Sequence, residues 1–202
     1  MAIGTYTELL TAAANWLARA DLTSRVPEFV SLAQARINRQ VLAQAMETKS
    51  AAFSITGEYV NVPSDFKQAH HFHLNTNPRK TLKVYDLEGM SDQYTTGGSP
   101  KYFQVVGTQF RFAPAPSTAE PATLIYFAKP ATLATTTQET NSLFPANVDL
   151  YLYATLLEAE GLLGDDARIP IWKAGYDEAL HSINRLAKES RHGGGSMMTR
   201  PG

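Results

Sequence analysis

Ala52-Phe53-Ser54-Ile55-Thr56-Gly57-Glu58-Tyr59-Val60-Asn61-Val62-Pro63 is the point at which this chain changes its period. Before it, apolar residues recur every three or four positions. Here they alternate by two around Thr56-Gly57, the pattern of two strands joined by a tight turn. The stretch predicts a β-hairpin that Pro63 closes, because proline offers no amide to a ladder. The residues beyond Pro63 decide the fold class: further alternation of strand and helix means a parallel sheet, whereas a block of strands means α+β.

The strands form a block. Phe66–Leu74 and residues 80–85 read as extended segments separated by Asn75-Thr76-Asn77-Pro78, and residues 86–94 read as a short helix. Past the loop Thr95-Thr96-Gly97-Gly98-Ser99-Pro100, residues 102–106 and 109–112 flank Gly107-Thr108 as a second hairpin, which Pro114 and Pro116 stop. Residues 124–128 make one last short strand. The β-rich insert thus covers residues 50–130.

Helical periodicity lies on both sides of that insert. Upstream, Thr5-Tyr6-Thr7-Glu8 is a capping box that starts a helix over 5–20, with Leu9, Leu10, Ala13, Trp16 and Leu17 as its stripe. Residues 21–24 are a turn, and Ser24 caps a helix over 24–47, about 33 Å long, whose first turn tolerates Pro27. Its stripe is Val26, Phe29, Val30, Ala33, Ile37, Val41 and Ala45. Downstream, residues 130–146 are Thr-rich and aperiodic and predict a long flexible loop. Asn147 then caps a helix over 147–163 with Val148, Tyr151, Leu152, Leu156, Ala159, Leu162 and Leu163 on one face and Gly164 at its exit. Asp165 or Asp166 caps the last helix, 166–190, striped by Ile169, Trp172, Tyr176, Ala179, Leu180, Ile183 and Leu186. Residues 191–202 contain three consecutive glycines, each costing a helix about 1 kcal/mol relative to Ala, and read as a free tail. The expected fold is α+β: paired N-terminal and C-terminal helices form a helical bundle around an antiparallel β-rich middle. Residues 1–190 are one domain, with Trp16, Phe29, Ile37, Leu152, Leu156 and Trp172 in a common core.

Composition narrows the function. With 202 residues, 44% of them hydrophobic, and 18 Lys+Arg against 19 Asp+Glu, the chain is neither disordered nor a basic nucleic-acid binder. The charge is spread thinly: +1 over residues 1–49 (five basic, four acidic), zero over 50–146 (seven and seven) and −2 over 147–202 (six and eight). No Cys is present, which excludes disulfides, thiol nucleophiles and Cys-ligated metals. The opening residues lack a charged and apolar leader and no stretch approaches 18 apolar residues, so the expectation is a soluble cytoplasmic chain with no membrane partner.

Few residues could carry chemistry. His71 and His73 of His70-His71-Phe72-His73 share one face of a strand and suit zinc or nickel, but two ligands are not a site, so no metal is expected. Glu158, Glu160, Asp165 and Asp166 form the densest acidic run, the only basis for an alternative reading as a cell-wall glycan hydrolase using carboxylates. Against it, Glu158 and Glu160 point about 200° apart on a helix and the aspartates serve as caps. Gly193-Gly194-Gly195-Ser196 lacks the lysine and the strand–loop–helix setting of a phosphate loop, and no Gly-x-Ser-x-Gly elbow presents a serine. Catalytic residues and cofactors are therefore expected to be none. Arg36 and Arg39, three apart on one face of the second helix, are candidates for intersubunit salt bridges or for contact with backbone phosphate.

Three stretches together resemble a known family: Arg25 through Arg39; Gly98-Ser99-Pro100-Lys101-Tyr102-Phe103 with Phe110-Arg111-Phe112-Ala113-Pro114-Ala115-Pro116; and Leu150-Tyr151-Leu152-Tyr153 through Asp165-Asp166-Ala167-Arg168 to Trp172. The pattern is similar to that of the head–tail adaptor (connector) proteins of tailed bacteriophages. That resemblance implies a structural homo-oligomer, a ring of twelve subunits linking the portal protein of the capsid to tail proteins. DNA would pass through without sequence-specific binding, and the ring would be assembled in the host cytoplasm and sit in the virion at the head–tail junction. It implies no active site. It also implies a C-terminus that reaches the portal, for which Arg191, His192, Met197, Met198 and Arg200 supply charge anchors and adaptable apolar side chains.

Overall fold

The structure, a computed structural model, describes residues 3–50, 52–93, 97–164 and 166–191. The fold is α+β. Among the described residues the helices are α1 (Tyr6–Leu17), α2 (Val26–Gln40), α3 (Leu87–Gln93), α4 (Val148–Glu158), α5 (Glu160–Leu163) and α6 (Ile169–Arg191). The strands are β1 (Glu47–Lys49), β2 (Phe53–Ile55), β3 (Tyr59–Asn61), β4 (Phe66–Leu74), β5 (Lys80–Thr81), β6 (Lys83–Val84), β7 (Tyr102–Val106), β8 (Gln109–Ala113) and β9 (Glu120–Ala128). They fall into two compact units, a helical one of Met1–Met46 with Pro130–Gly202 and a β unit of Glu47–Lys129.

In the helical unit the capping box forms as the sequence predicts. The Glu8 amide donates to Thr5 Oγ1 at 3.2 Å and the Thr5 amide to Glu8 Oε2 at 3.0 Å. Tyr6, Leu9, Ala13 and Leu17 are buried, but Trp16 lies beside that stripe and is 47% exposed, its ring edge-on to Tyr153, so it is not a core residue. A 3₁₀ turn over Ala20–Arg25 runs straight into α2, and Ser24 sits inside it instead of capping. The second helix ends at Gln40, well before residue 47. β-Branched Val41 turns extended and the Leu42 amide donates to Asn184 Oδ1 at 3.2 Å, a side chain from α6 replacing the next helical bond.

Helix α4 departs further from the amphipathic expectation. Leu150, Tyr151, Leu152, Ala154, Thr155, Leu156 and Leu157 are all buried, around the whole circumference, because α1, α2 and α6 each pack against it. Asn147 does not cap it; the Asn147 amide group donates to the Leu143 carbonyl instead. The helical run expected to residue 163 breaks at Ala159, and Gly164 ends the short α5 at φ +68°, a conformation glycine adopts without strain. At Gly175, α6 approaches α4 so closely that an added Cβ would lie 2.8 Å from the Tyr153 ring.

Residues 130–146, expected to be a flexible loop, are tied down. Leu133 is buried and its amide donates to Gln34 Oε1 at 2.7 Å. The Tyr6 amide donates to the Glu139 carbonyl, and the Glu139 carboxylate accepts from the Thr7 amide, the Thr7 hydroxyl and the Thr136 amide. The first turn of α1 has orphan amides and this segment's acceptors satisfy them.

The β unit holds two sheets. The first has the order β1-β9-β4-β5, with β2 also on β9; the second is β3-β8-β7-β6, antiparallel except for the two-residue β6–β7 pair. The hairpin expected over residues 52–63 is therefore not a hairpin. Its two strands form, but β2 pairs with β9 and β3 with β8, so Thr56-Gly57 carries the chain from one sheet to the other. Leu82 likewise splits the extended segment 80–85 between the sheets. The β7–β8 hairpin forms as expected around Gly107, at φ +59°. The last strand is longer than its apolar run: Pro121 is tolerated near its start, where its carbonyl accepts from Asn75.

Strand β4 carries two bulges, with Lys67 and His70 as the extra residues. Each bulge advances the strand's phase by one, so Phe66, Ala69 and Phe72, three apart in sequence, all reach the core. There Phe72 meets Phe53, Phe103, Phe110 and Phe112 with ring centroids 5.2–5.6 Å apart, mostly edge to face.

Candidate functional site

The outer face of α2 is built by helical spacing. Leu32, Arg36 and Arg39 stand at i, i+4 and i+7, flanking the buried stripe of Val26, Phe29, Val30, Ala33 and Ile37. Leu32 is 53% exposed. The Arg36 guanidinium meets Glu158 Oε1 at 2.7 Å and lies 5.9 Å from the centroid of the Tyr176 ring, whose hydroxyl donates to Gln40 Oε1. Burial raises the Tyr176 hydroxyl's pKa, an effect that nearby Arg36 opposes. Arg36 is thus committed within the chain, whereas Arg39 is exposed and has no ion-pair partner among the described residues.

The histidine cluster divides. His70, pushed out by its bulge, places Nδ1 2.8 Å from Glu47 Oε1 and stacks on Phe127. His71 and His73 do share a face, with rings 5.2 Å apart. His73 is only 7% exposed and its Nδ1 has no hydrogen-bond partner among the described residues. Burial pushes its pKa down, and the positive charges of His71, Arg79 and Lys49 add to that. Among the described residues, no third His, Asp or Glu joins the pair in a metal-binding group. Flanking cations further oppose a divalent ion.

Among the described residues the acidic run offers no pair of free carboxylates. Glu158 is held by Arg36, and Asp166 by Arg168 at 2.7 Å, which with the Arg168 amide holds the Asp166 carboxyl down to about 2. The same arginine donates to the Trp16 and Leu17 carbonyls at the end of α1 and lies over Trp172. Glu160 is exposed on α5, and Asp165 lies outside the described residues. Two of the run's carboxylates are thus engaged in ion pairs within the fold.

Of the residues expected to touch the portal, Arg191 closes α6, with its side chain outside the described part; His192, Met197, Met198 and Arg200 lie outside the described residues, as does Gly193-Gly194-Gly195-Ser196. What the described surface presents is a set of contact features, and the comparison with protein families gives them a setting. A family model described as SU10 adaptor protein matches residues 4–200, almost the whole chain. The chain belongs to the SU10 adaptor protein family. The phage head–tail adaptor resemblance read from α2, the β7–β8 hairpin and the α4–α6 region is thereby shown, and with it a structural role in the virion. No curated protein matches the chain. No helix among the adaptor's described residues is long and apolar enough to cross a membrane.

Sequence reasoning missed Glu139, Gln34, Asn184 and Arg168, whose backbone contacts hold the adaptor's helix ends and strap. Each pairs across 99 or more residues of sequence, so no local pattern could flag it. Leu32 carried a signal, an apolar residue off its helix's stripe beside two arginines.

Proposed function

We propose that this adaptor assembles as a ring of twelve copies beneath the portal, joining the capsid to tail proteins around the DNA channel. Residues 1–190 act as one adaptor domain whose N-terminal and C-terminal helices work as a bundle, and 191–202 act as its portal-directed tail. Assembly takes place in the host cytoplasm. The observation that carries the reading is the family match over residues 4–200. The outer face of α2 supports a neighbour contact: Leu32 offers apolar area, Arg39 an unspent charge, and Arg36, oriented by Glu158, a positioned guanidinium. The near-neutral charge suits a channel that lets DNA slide, since each phosphate neutralised by a cation tightens the grip on it.

Native mass spectrometry and electron microscopy of the full chain with isolated portal test the ring: a twelve-copy mass on portal is expected, and single copies scattered on portal would overturn it. Replacing Leu32 and Arg39 by Glu is expected to abolish the ring while leaving the melting temperature of the subunit unchanged. Deleting 192–202 is expected to leave the subunit folded and remove portal binding; full portal affinity in that variant would refute the role of Arg191, His192, Met197, Met198 and Arg200.

A further inference from the structure

In the helical unit, α1, α4 and α6 together leave apolar surface uncovered. The Trp16 ring near the end of α1 stands edge-on to Tyr153 of α4, with centroids 6.1 Å apart, and is half exposed. Tyr153 lies in turn against Gly175 of α6, where an added Cβ would come within 2.8 Å of its ring. Ile171 precedes Gly175 by one turn on the same side of α6 and is 68% exposed. Arg168, three residues earlier, ties that end of α6 to the Trp16 and Leu17 carbonyls, and its guanidinium is held by Asp166 at 2.7 Å. Acids border the same face. Asp149 stands one turn before Tyr153 on α4 and Glu178 one turn after Gly175 on α6; both are exposed, and neither has an ion-pair partner among the described residues. The subunit alone gains little from this arrangement, since a glycine inside a helix is about 1 kcal/mol worse than alanine and the rings it seats stay open to water.

Resting on the ring reading, we infer that this face seats the Leu32–Arg39 face of α2 from a second copy of the chain. The two surfaces are complementary. Leu32 meets the apolar surface of Trp16, Tyr153 and Ile171, and Arg39, exposed and with no ion-pair partner among the described residues, meets Asp149, Glu178 and an aromatic ring that attracts a guanidinium. Charge along the chain divides the same way, +1 over residues 1–49 and −2 over 147–202. The surfaces are also distinct. Arg36, which shares the Leu32–Arg39 face, reaches Tyr176, one residue and about 100° round α6 from Gly175, so α6 stands between the two faces. A contact between unlike faces is head-to-tail: every copy added leaves one open face of each kind, and growth stops only when the rotation closes a ring. A self-complementary contact stops at two copies.

The chain has no Cys, so introduced thiols report the contact without background. Full-length Leu32→Cys and Ile171→Cys, both changes at exposed positions, are mixed under mild oxidation with and without isolated portal, beside native mass spectrometry of the wild-type chain. The mixture is expected to give disulfide-linked dimers, each variant alone none, and the double variant a ladder of linked copies. Arg39→Glu is expected to weaken association about tenfold or more, and Asp149→Arg with Glu178→Arg in the same chain to recover most of it. Dimers from Leu32→Cys alone would put like faces in contact and overturn the assignment. So would a wild-type ring whose mixed variants stay unlinked, the result expected if a tail protein covers this face instead. Linked dimers without a ring mass would overturn the ring and support the seat.

Discussion

The helical unit and the β unit solve the same problem by opposite means. A sheet satisfies its interior backbone through its own ladders, so the β unit needs only to cover its faces, and Phe72 with Phe53, Phe103, Phe110 and Phe112 does so. Helices leave orphan amides and carbonyls at every end. The helical unit answers with polar side chains drawn from far along the chain: Glu139 at the start of α1, Arg168 at its end, Asn184 past the end of α2 and Gln34 beneath the 130–146 strap. One unit is held chiefly by apolar interleaving, the other by apolar packing plus a set of long-range polar stitches.

The largest effects are expected where both units rely on burial. Phe72→Ala in one and Trp172→Ala in the other, each nearly inaccessible to solvent, should each cost about 3–5 kcal/mol in denaturant unfolding. A loss below about 1 kcal/mol for either would mean that its unit is not packed as described.

The stitches separate the two units next. Gln34 is 7% exposed and accepts the Leu133 amide, so Gln34→Ala should cost about 1–3 kcal/mol by leaving that amide unsatisfied. The β unit's counterpart, Ser50 Oγ accepting the Leu124 amide at 3.1 Å, is only part-buried. Hydrogen exchange should show faster exchange at Leu133 in that variant while the amides of β9 keep their protection; slowed or unchanged exchange at Leu133 would contradict the stitch.

Acid should distinguish the units again. Glu139 is held below the usual carboxylate range, chiefly by the Thr136 and Thr7 amides, and Asp166 is held to about 2 by Arg168. A carboxylate whose pKa is depressed by folding stabilises fully above its unfolded pKa near 4, and that contribution is lost as pH falls through the folded value. The melting temperature of the wild-type chain should therefore drop between about pH 4 and 2. Glu139→Gln and Asp166→Asn should flatten that fall, and an unchanged slope in the double variant would break the comparison.

Trp16→Ala should have the smallest effect, about 1 kcal/mol or less, because the ring is half exposed and touches Tyr153 by its edge. A loss matching that of Trp172→Ala would restore Trp16 to the core from which its position on the helix excludes it.

Local grammar made much of this legible. The Thr5/Glu8 capping box, the Gly107 hairpin and the Gly164 exit each depend on residues within a few positions of one another, and each forms as the sequence predicts. The family was legible too, since its signature lies in helix stripes and turn residues. The candidate contact face was half legible: Arg36 and Arg39 stood out by spacing, but that Arg36 would be claimed by Glu158, 122 residues away, did not.

The sequence by itself determined the element types, the α+β class and the absence of any thiol chemistry, because periodicity, caps and composition act over short range. Tertiary structure alone decided the rest. It split residues 52–63 between two sheets, since strand pairing depends on which partner is free and not on the turn between the strands. It ended α2 at Gln40 because Asn184 takes the next amide, and it buried α4 on every side because three helices surround it. And it made Phe66, Ala69 and Phe72 neighbours on one face by two bulges, a phase shift that only the pairing of β4 with β9 imposes.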